Sequence, residues 1–192
     1  MRNRLLMTVT AAISLLAGCS DGDSDPAPQS AARNSSDRAA ATATPPPTAT
    51  TPAQGTPSLD ARLTVTDIRI GHHAGFDRVV YELGGIGSPG WRVQYTDRAV
   101  QDGSGKPLDV AGGSILQVQI LGSAYPWDSG ATEYAGPDPA TDSSAPGIAG
   151  VYSTHVYEGT TQSFIGVNAQ RPPFSVTALT EPTRLVIDIA AD

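Results

Sequence analysis

The stretch Asp77-Arg78-Val79-Val80-Tyr81-Glu82-Leu83 decides how this chain folds. Val79, Tyr81 and Leu83 fall on one parity and Arg78, Val80 and Glu82 on the other, the period of two of a half-buried strand. Downstream, Gly84-Gly85, Gly87 and Ser88-Pro89-Gly90 turn the chain, and then Trp91, Val93 and Tyr95 alternate with Arg92, Gln94 and Thr96. Two such runs around a Gly/Pro turn read as paired strands of a hairpin. Upstream, Arg62 to Ile70 puts Leu63 and Val65 on one parity and Ile68 and Ile70 on the other. That slip marks a bulge or a strand that changes sheets.

The same alternation recurs along the rest of the chain. Leu116, Val118 and Ile120 oppose Gln117 and Gln119 within Ile115 to Leu121, and Val151 to Tyr157, Thr161 to Val167, Phe174 to Leu179 and Arg184 to Ile189 complete the set. No segment holds the i, i+3, i+4 recurrence of a helix over three turns. The fold class is therefore all-β, a single antiparallel β-sandwich of about eight short strands. Patterning starts at Leu59 and defines one domain, residues 59–192, long enough to bury its own core. Within it lies the excursion Ser123 to Gly150, with six alanines, four prolines, Trp127 and Tyr134. Hairpins do not need such a length, and insertions of this kind are functional or disordered.

Ahead of the domain the sequence changes character. Arg2 and Arg4 precede an apolar run from Leu5 to Ala17 that is too short to span about 30 Å of hydrocarbon. With Leu16-Ala17-Gly18-Cys19 it reads as a lipoprotein signal peptide, residues 1–18, whose small residues precede a cysteine that is acylated. Cys19 is the only cysteine, so it is expected to carry acyl chains such as palmitate. No intrachain disulfide or cysteine-based zinc site is then available. Residues 19–58 form the expected linker: from Ser20 to Ser58 there is no Val, Ile, Leu, Met or aromatic residue, and prolines recur among Ala, Thr, Ser and Asp. Nothing there offsets the entropy of ordering, so disorder is expected. Threonines from Thr42 to Thr56 are candidate O-glycosylation positions.

Charge narrows the partners. The net charge is −7, and loss of the leader's two arginines moves it to −9; Lys106 is the only lysine. A polyanion would be repelled, which excludes nucleic acid. Eleven arginines to one lysine, with abundant Ala, Gly, Pro and Thr, fit GC-rich codon usage and a high-GC bacterium.

Signals for catalysis are weak. His72, His73 and His155 are the only histidines, and the adjacent pair His72-His73 could hold a metal only if a third ligand such as His155, Asp77 or Glu158 came near; an exposed polar loop is the simpler reading, so no metal and no cofactor is expected. The turn Asp102-Gly103-Ser104-Gly105-Lys106-Pro107 lacks Walker spacing, and no Gly-x-Ser-x-Gly elbow occurs. Glu82, Asp97, Glu133, Glu158 and Glu181 are candidate acids for glycoside hydrolysis, although acids beside turns are usually solvated. Aromatic rings offer more, because sugar faces stack on them. Trp127 and Tyr134 are expected to be exposed in the excursion; Trp91 and Tyr95 share a parity with Val93, which favours packing, but remain candidate ligand contacts.

The segments Asp77 to Leu83, Pro89-Gly90-Trp91-Arg92-Val93-Gln94-Tyr95, Gln162-Ser163-Phe164-Ile165-Gly166-Val167, Pro173-Phe174-Ser175-Val176 and Pro182 to Ile189 together resemble the AMIN-like domain of actinobacterial lipoproteins. The resemblance runs from about Leu63 to Ile189 and keeps the order of motifs. It implies kinship with the AMIN domain, a compact β-sandwich appended to periplasmic amidases and secretin components that localises them through peptidoglycan. No amidase or secretin partner is expected in the same chain, and the resemblance carries over no catalytic residue. The expected function is a non-enzymatic lipoprotein at the extracytoplasmic face of the cell membrane, anchored in membrane lipid through Cys19, that binds a cell-envelope component, peptidoglycan foremost. The alternatives are a protein-interaction subunit of an envelope complex and, more weakly, a cell-wall glycan hydrolase.

Overall fold

The computed structural model of the protein describes residues 44–191. The expected signal peptide, Cys19 and the linker up to residue 43 lie outside the described residues. In chain order the elements are β1 (Ala53–Gly55), β2 (Arg62–His73), β3 (Phe76–Ile86), β4 (Gly90–Thr96), β5 (Ser114–Leu121), α1 (Pro126–Ser129), β6 (Ile148–Tyr157), β7 (Thr160–Val167), β8 (Phe174–Leu179) and β9 (Arg184–Ala190). All pairings between these strands are antiparallel, in a five-stranded sheet of order β1-β4-β5-β7-β6 and a four-stranded sheet of order β2-β3-β9-β8. The two sheets pack face to face, so the β-sandwich expected from the alternation is the fold, and β2 to β9 are its eight expected strands.

Alternation places the core. Val79, Tyr81 and Leu83 of β3 meet Leu116, Val118 and Ile120 of β5 and Ile165 of β7 in one buried cluster. The parity slip in β2 is a bulge: the register shifts between Val65 and Asp67, so that Leu63, Val65 and Ile68 all reach the core. On the outer face of the four-stranded sheet, Arg78 grips Asp188 of β9 through two bonds of 2.6 and 2.9 Å. That hydrogen bond pushes the already high pKa of Arg78 further up.

Two expectations are corrected. Trp91 to Thr96 does not form a hairpin with Asp77 to Leu83: β4 lies in the other sheet, paired with β1 and β5. The connection is an arch. Gly85 and Gly87 both have positive φ, and a β-carbon on Gly85 would collide with the Arg62 carbonyl, so only glycine lets the chain leave one sheet for the other here. The domain also begins earlier than Leu59. Residues 44–58 of the expected disordered linker are ordered against it, and Ala53–Gly55 adds a ninth strand among the described residues. Main-chain pairing needs no apolar side chain, which is why composition does not register it.

This leading segment forms a strap along one open side of the sandwich. Pro46 packs on Gly75 of the β2–β3 turn, the Ala49 carbonyl accepts from the Phe174 N–H of β8 at 2.7 Å, and β1 joins β4. At the opposite end Ser58 exchanges two bonds with Ser88, of 3.0 and 2.8 Å. The excursion closes the other side. Leu63 and Val65 of edge strand β2 bond to Gly122, Ala124 and Tyr134, while Ala140 exchanges two bonds of 2.8 Å with Val151 of β6. Both sheet edges that flank that side are thereby covered.

Candidate functional site

Local sequence builds an aromatic shelf at one end of the sandwich. Tyr125 precedes Pro126 and is held extended (φ −66°, ψ 155°), as a residue before proline prefers. Pro126 then starts the single turn α1, and Gly130 at φ 74° ends it by donating to the Pro126 carbonyl at 2.9 Å. The outcome is a stack of Tyr125 on Trp127, with ring centroids 4.7 Å apart and planes 8° from parallel. Trp127 is 77% exposed and Tyr125 41%. Tyr157, 45% exposed, stands at the same end, where β6 runs into the β6–β7 turn that Ser123 meets.

Two bonds fix the shelf to the fold. Ser123 donates its N–H to the Gly159 carbonyl at 2.9 Å, and its hydroxyl oxygen accepts from the Thr161 N–H at 3.1 Å. The surround is acidic: Glu158, and then Asp102, push the Tyr157 phenol above its ordinary value. A groove of about 350 Å³ lies beyond, lined by Gln101, Leu108, Glu133, Tyr134, Asp138 and His155 among others. His155 and Tyr157 are two residues apart on β6, so groove and shelf adjoin. Behind Glu133 and Tyr134 a cavity of about 40 Å³ reaches between the sheets to Tyr81 and Ser163.

The four aromatic candidates do not gather. Trp127 is on the shelf. Tyr134 lines the groove, half-buried, its N–H on the Val65 carbonyl at 2.8 Å and its hydroxyl on the Pro137 carbonyl at 3.0 Å. Burial first, then Asp67 and Asp138, push its phenol up. Trp91 lies against Gly55 of the strap. Tyr95 meets Phe174 edge-on at 5.6 Å and donates to the Pro172 carbonyl at 2.7 Å, and burial pushes its phenol up to about 12. Tyr125 is the contact that sequence reasoning missed; the signal was Tyr125-Pro126-Trp127, in which proline fixes two rings side by side. Tyr157 was legible as an aromatic residue but not as part of this group.

The remaining polar candidates have partners of their own. His72 Nδ1 lies 2.7 Å from Asp77, a buried carboxylate that also accepts the Gly147 N–H at 2.8 Å. His73 stacks on Phe76 at 4.8 Å, and His155 is 3.6 Å from Glu133. Among the described residues no three His, Cys, Asp or Glu side chains are placed to hold a metal ion. Of the acids, Glu82 pairs with Arg69 at 2.9 Å, Asp97 with Arg171, and Glu158 adjoins Tyr157.

The fold and this surface define a two-sheet antiparallel sandwich whose exposed aromatic chemistry is concentrated at one end. The family model described as AMIN-like domain matches residues 63–191, and the chain belongs to that family. No curated protein and no solved structure matches it.

Proposed function

We propose that this chain is a non-enzymatic binding module of the cell envelope, held at the extracytoplasmic face of the membrane by acyl chains on Cys19, and that its domain binds peptidoglycan. The exposed Tyr125–Trp127 stack carries the reading. A sugar ring presents a face of C–H bonds to the electron-rich face of an aromatic ring, and a ring stacked from behind is already fixed in place. The groove past Tyr157 supplies amide, carboxylate and imidazole groups for hydrogen bonds to a polymer lying across the shelf. Membership of the AMIN-like family supports an envelope ligand. Two acyl chains, at about 0.8 kcal/mol per buried methylene, hold such a protein firmly.

The test is co-sedimentation of the full chain, in detergent, with purified cell wall. The wild-type chain should pellet with the wall, and Trp127→Ala should reduce that fraction while leaving thermal unfolding unchanged. No sedimentation above a control protein overturns the wall-binding reading. Failure of palmitate to label the chain in cells, or of Cys19→Ala to release it from membranes, overturns the anchor.

A further inference from the structure

The strap holds the edge of β4 with few bonds. Among the described residues only Ala53–Gly55 pairs with this edge of a strand seven residues long, and Gln94 to Thr96 have no strand partner there. Pro52 and Pro57 flank β1, and proline has no N–H to lengthen the ladder. Of its side chains the strap buries Pro47 and packs Ala53 against the core, but sets no larger apolar group into the domain. Selectivity lies on the other partner: the Trp91 ring packs on Gly55, where a β-carbon would stand 2.6 Å from ring atoms. The seat accepts glycine at that register and rejects a side chain. An open cleft of about 420 Å³ adjoins it, lined by Gln54, Thr56, Trp91 and Arg92 among others. The residues matched by the family model begin at 63, so the accepting edge belongs to the family domain and its occupant precedes it.

We propose that the outer edge of β4 is a peptide-binding site for an extended strand with glycine under Trp91, and that the strap is its displaceable resident. An incoming strand without proline in this register can pair along all of Gly90–Thr96 through its main chain, the recognition mode of strand addition. As part of the same chain the strap has an effective concentration on the order of millimolar, so only a partner that forms more ladder bonds replaces it. This site is separate from the aromatic shelf and does not depend on wall binding.

The probe is the synthetic peptide Thr-Thr-Val-Ala-Gln-Gly-Thr-Val, which keeps the Ala-Gln-Gly register and replaces both flanking prolines. Binding is read by tryptophan emission in the full chain carrying Trp127→Phe, which leaves Trp91 as the only reporter. Adding Gly55→Val should expel the strap and tighten peptide binding at least tenfold, and a peptide with valine in place of glycine should not bind. Should Gly55→Val fail to fold, the double variant Ala53→Pro/Gln54→Pro removes two N–H groups of β1 without adding bulk under Trp91, and the same gain is expected. A folded, strap-opened variant with no gain overturns the proposal, as does equal binding of the valine peptide. Self-association of that variant in place of peptide uptake overturns it in favour of strand exchange between copies.

Discussion

The hydroxyls of Tyr81 and Ser163, contributed by opposite sheets, meet at 2.9 Å in the centre of the sandwich. Ser163 Oγ also lies 2.6 Å from the Tyr152 carbonyl, to which it donates, so Tyr81 is the donor to Ser163. Removing the serine leaves a buried phenol proton without an acceptor, whereas Tyr81→Phe removes the donor together with its need. Ser163→Ala should therefore cost about 2 kcal/mol and Tyr81→Phe about 1 kcal/mol in denaturant unfolding. A double variant losing less than the sum of the two would confirm the coupling.

Alkaline pH should weaken the fold through its buried phenols. Tyr95 is pushed up to about 12 by burial, and burial also raises Tyr81. In the unfolded chain these groups ionise near the ordinary value of about 10. Their contribution is fully present below that pH and is lost as pH rises from it through the folded value. Thermal midpoints should be flat from pH 8 to pH 10 on this account and fall between about pH 10 and 12, and Tyr95→Phe should flatten part of that fall.

Arg78 and Asp188 form a two-bond pair with Asp188 nearly buried. Asp188→Ala leaves the guanidinium without its carboxylate beside the Phe76 ring, 5.3 Å away. A loss of about 3 kcal/mol in urea unfolding is expected.

Gly166 of β7 lies under the loop between β4 and β5, where a β-carbon would overlap the Ala111 carbonyl. The loop must lift for any side chain to fit. Gly166→Ala should cost about 2 kcal/mol, and hydrogen exchange should quicken near Asp102, whose N–H donates to Gln162 Oε1 at 2.9 Å.

On the shelf, Trp127 is too exposed to support the core. Trp127→Ala should change unfolding by less than about 0.5 kcal/mol. Loss of one stacking face should weaken wall binding by about 1 kcal/mol, a factor of about five, measured as the dissociation constant for soluble wall fragments.

Strands with alternating β-branched residues were legible because their side chains face a core: Val79, Tyr81 and Leu83 announce β3 without any neighbour. The β2 bulge was legible for the same reason, since Ile68 could reach the interior only after a slip. What escaped is held mostly by main chain. Ala53–Gly55 pairs through peptide groups and a ring packed on a glycine, neither of which leaves an apolar signature. The sheet assignment of β4 escaped because glycine and proline mark a turn without saying whether it is a hairpin or an arch. At the site, exposure of Trp127 followed from its place in a polar excursion, but the grouping of Tyr125, Trp127 and Tyr157 depends on Ser123 meeting the β6–β7 turn, a contact between distant parts of the chain.

The strap also gives the molecule two poles. Its first described residues lie by Gly75 at the β2–β3 turn, whereas Tyr157 and the shelf stand at the far end, where Leu121 pairs with Thr160. An eleven-residue strand such as β3 separates these poles by about 35 Å. Thr44 therefore begins the described chain at the pole opposite the rings, and a strand's full length of sandwich keeps Trp127 apart from it.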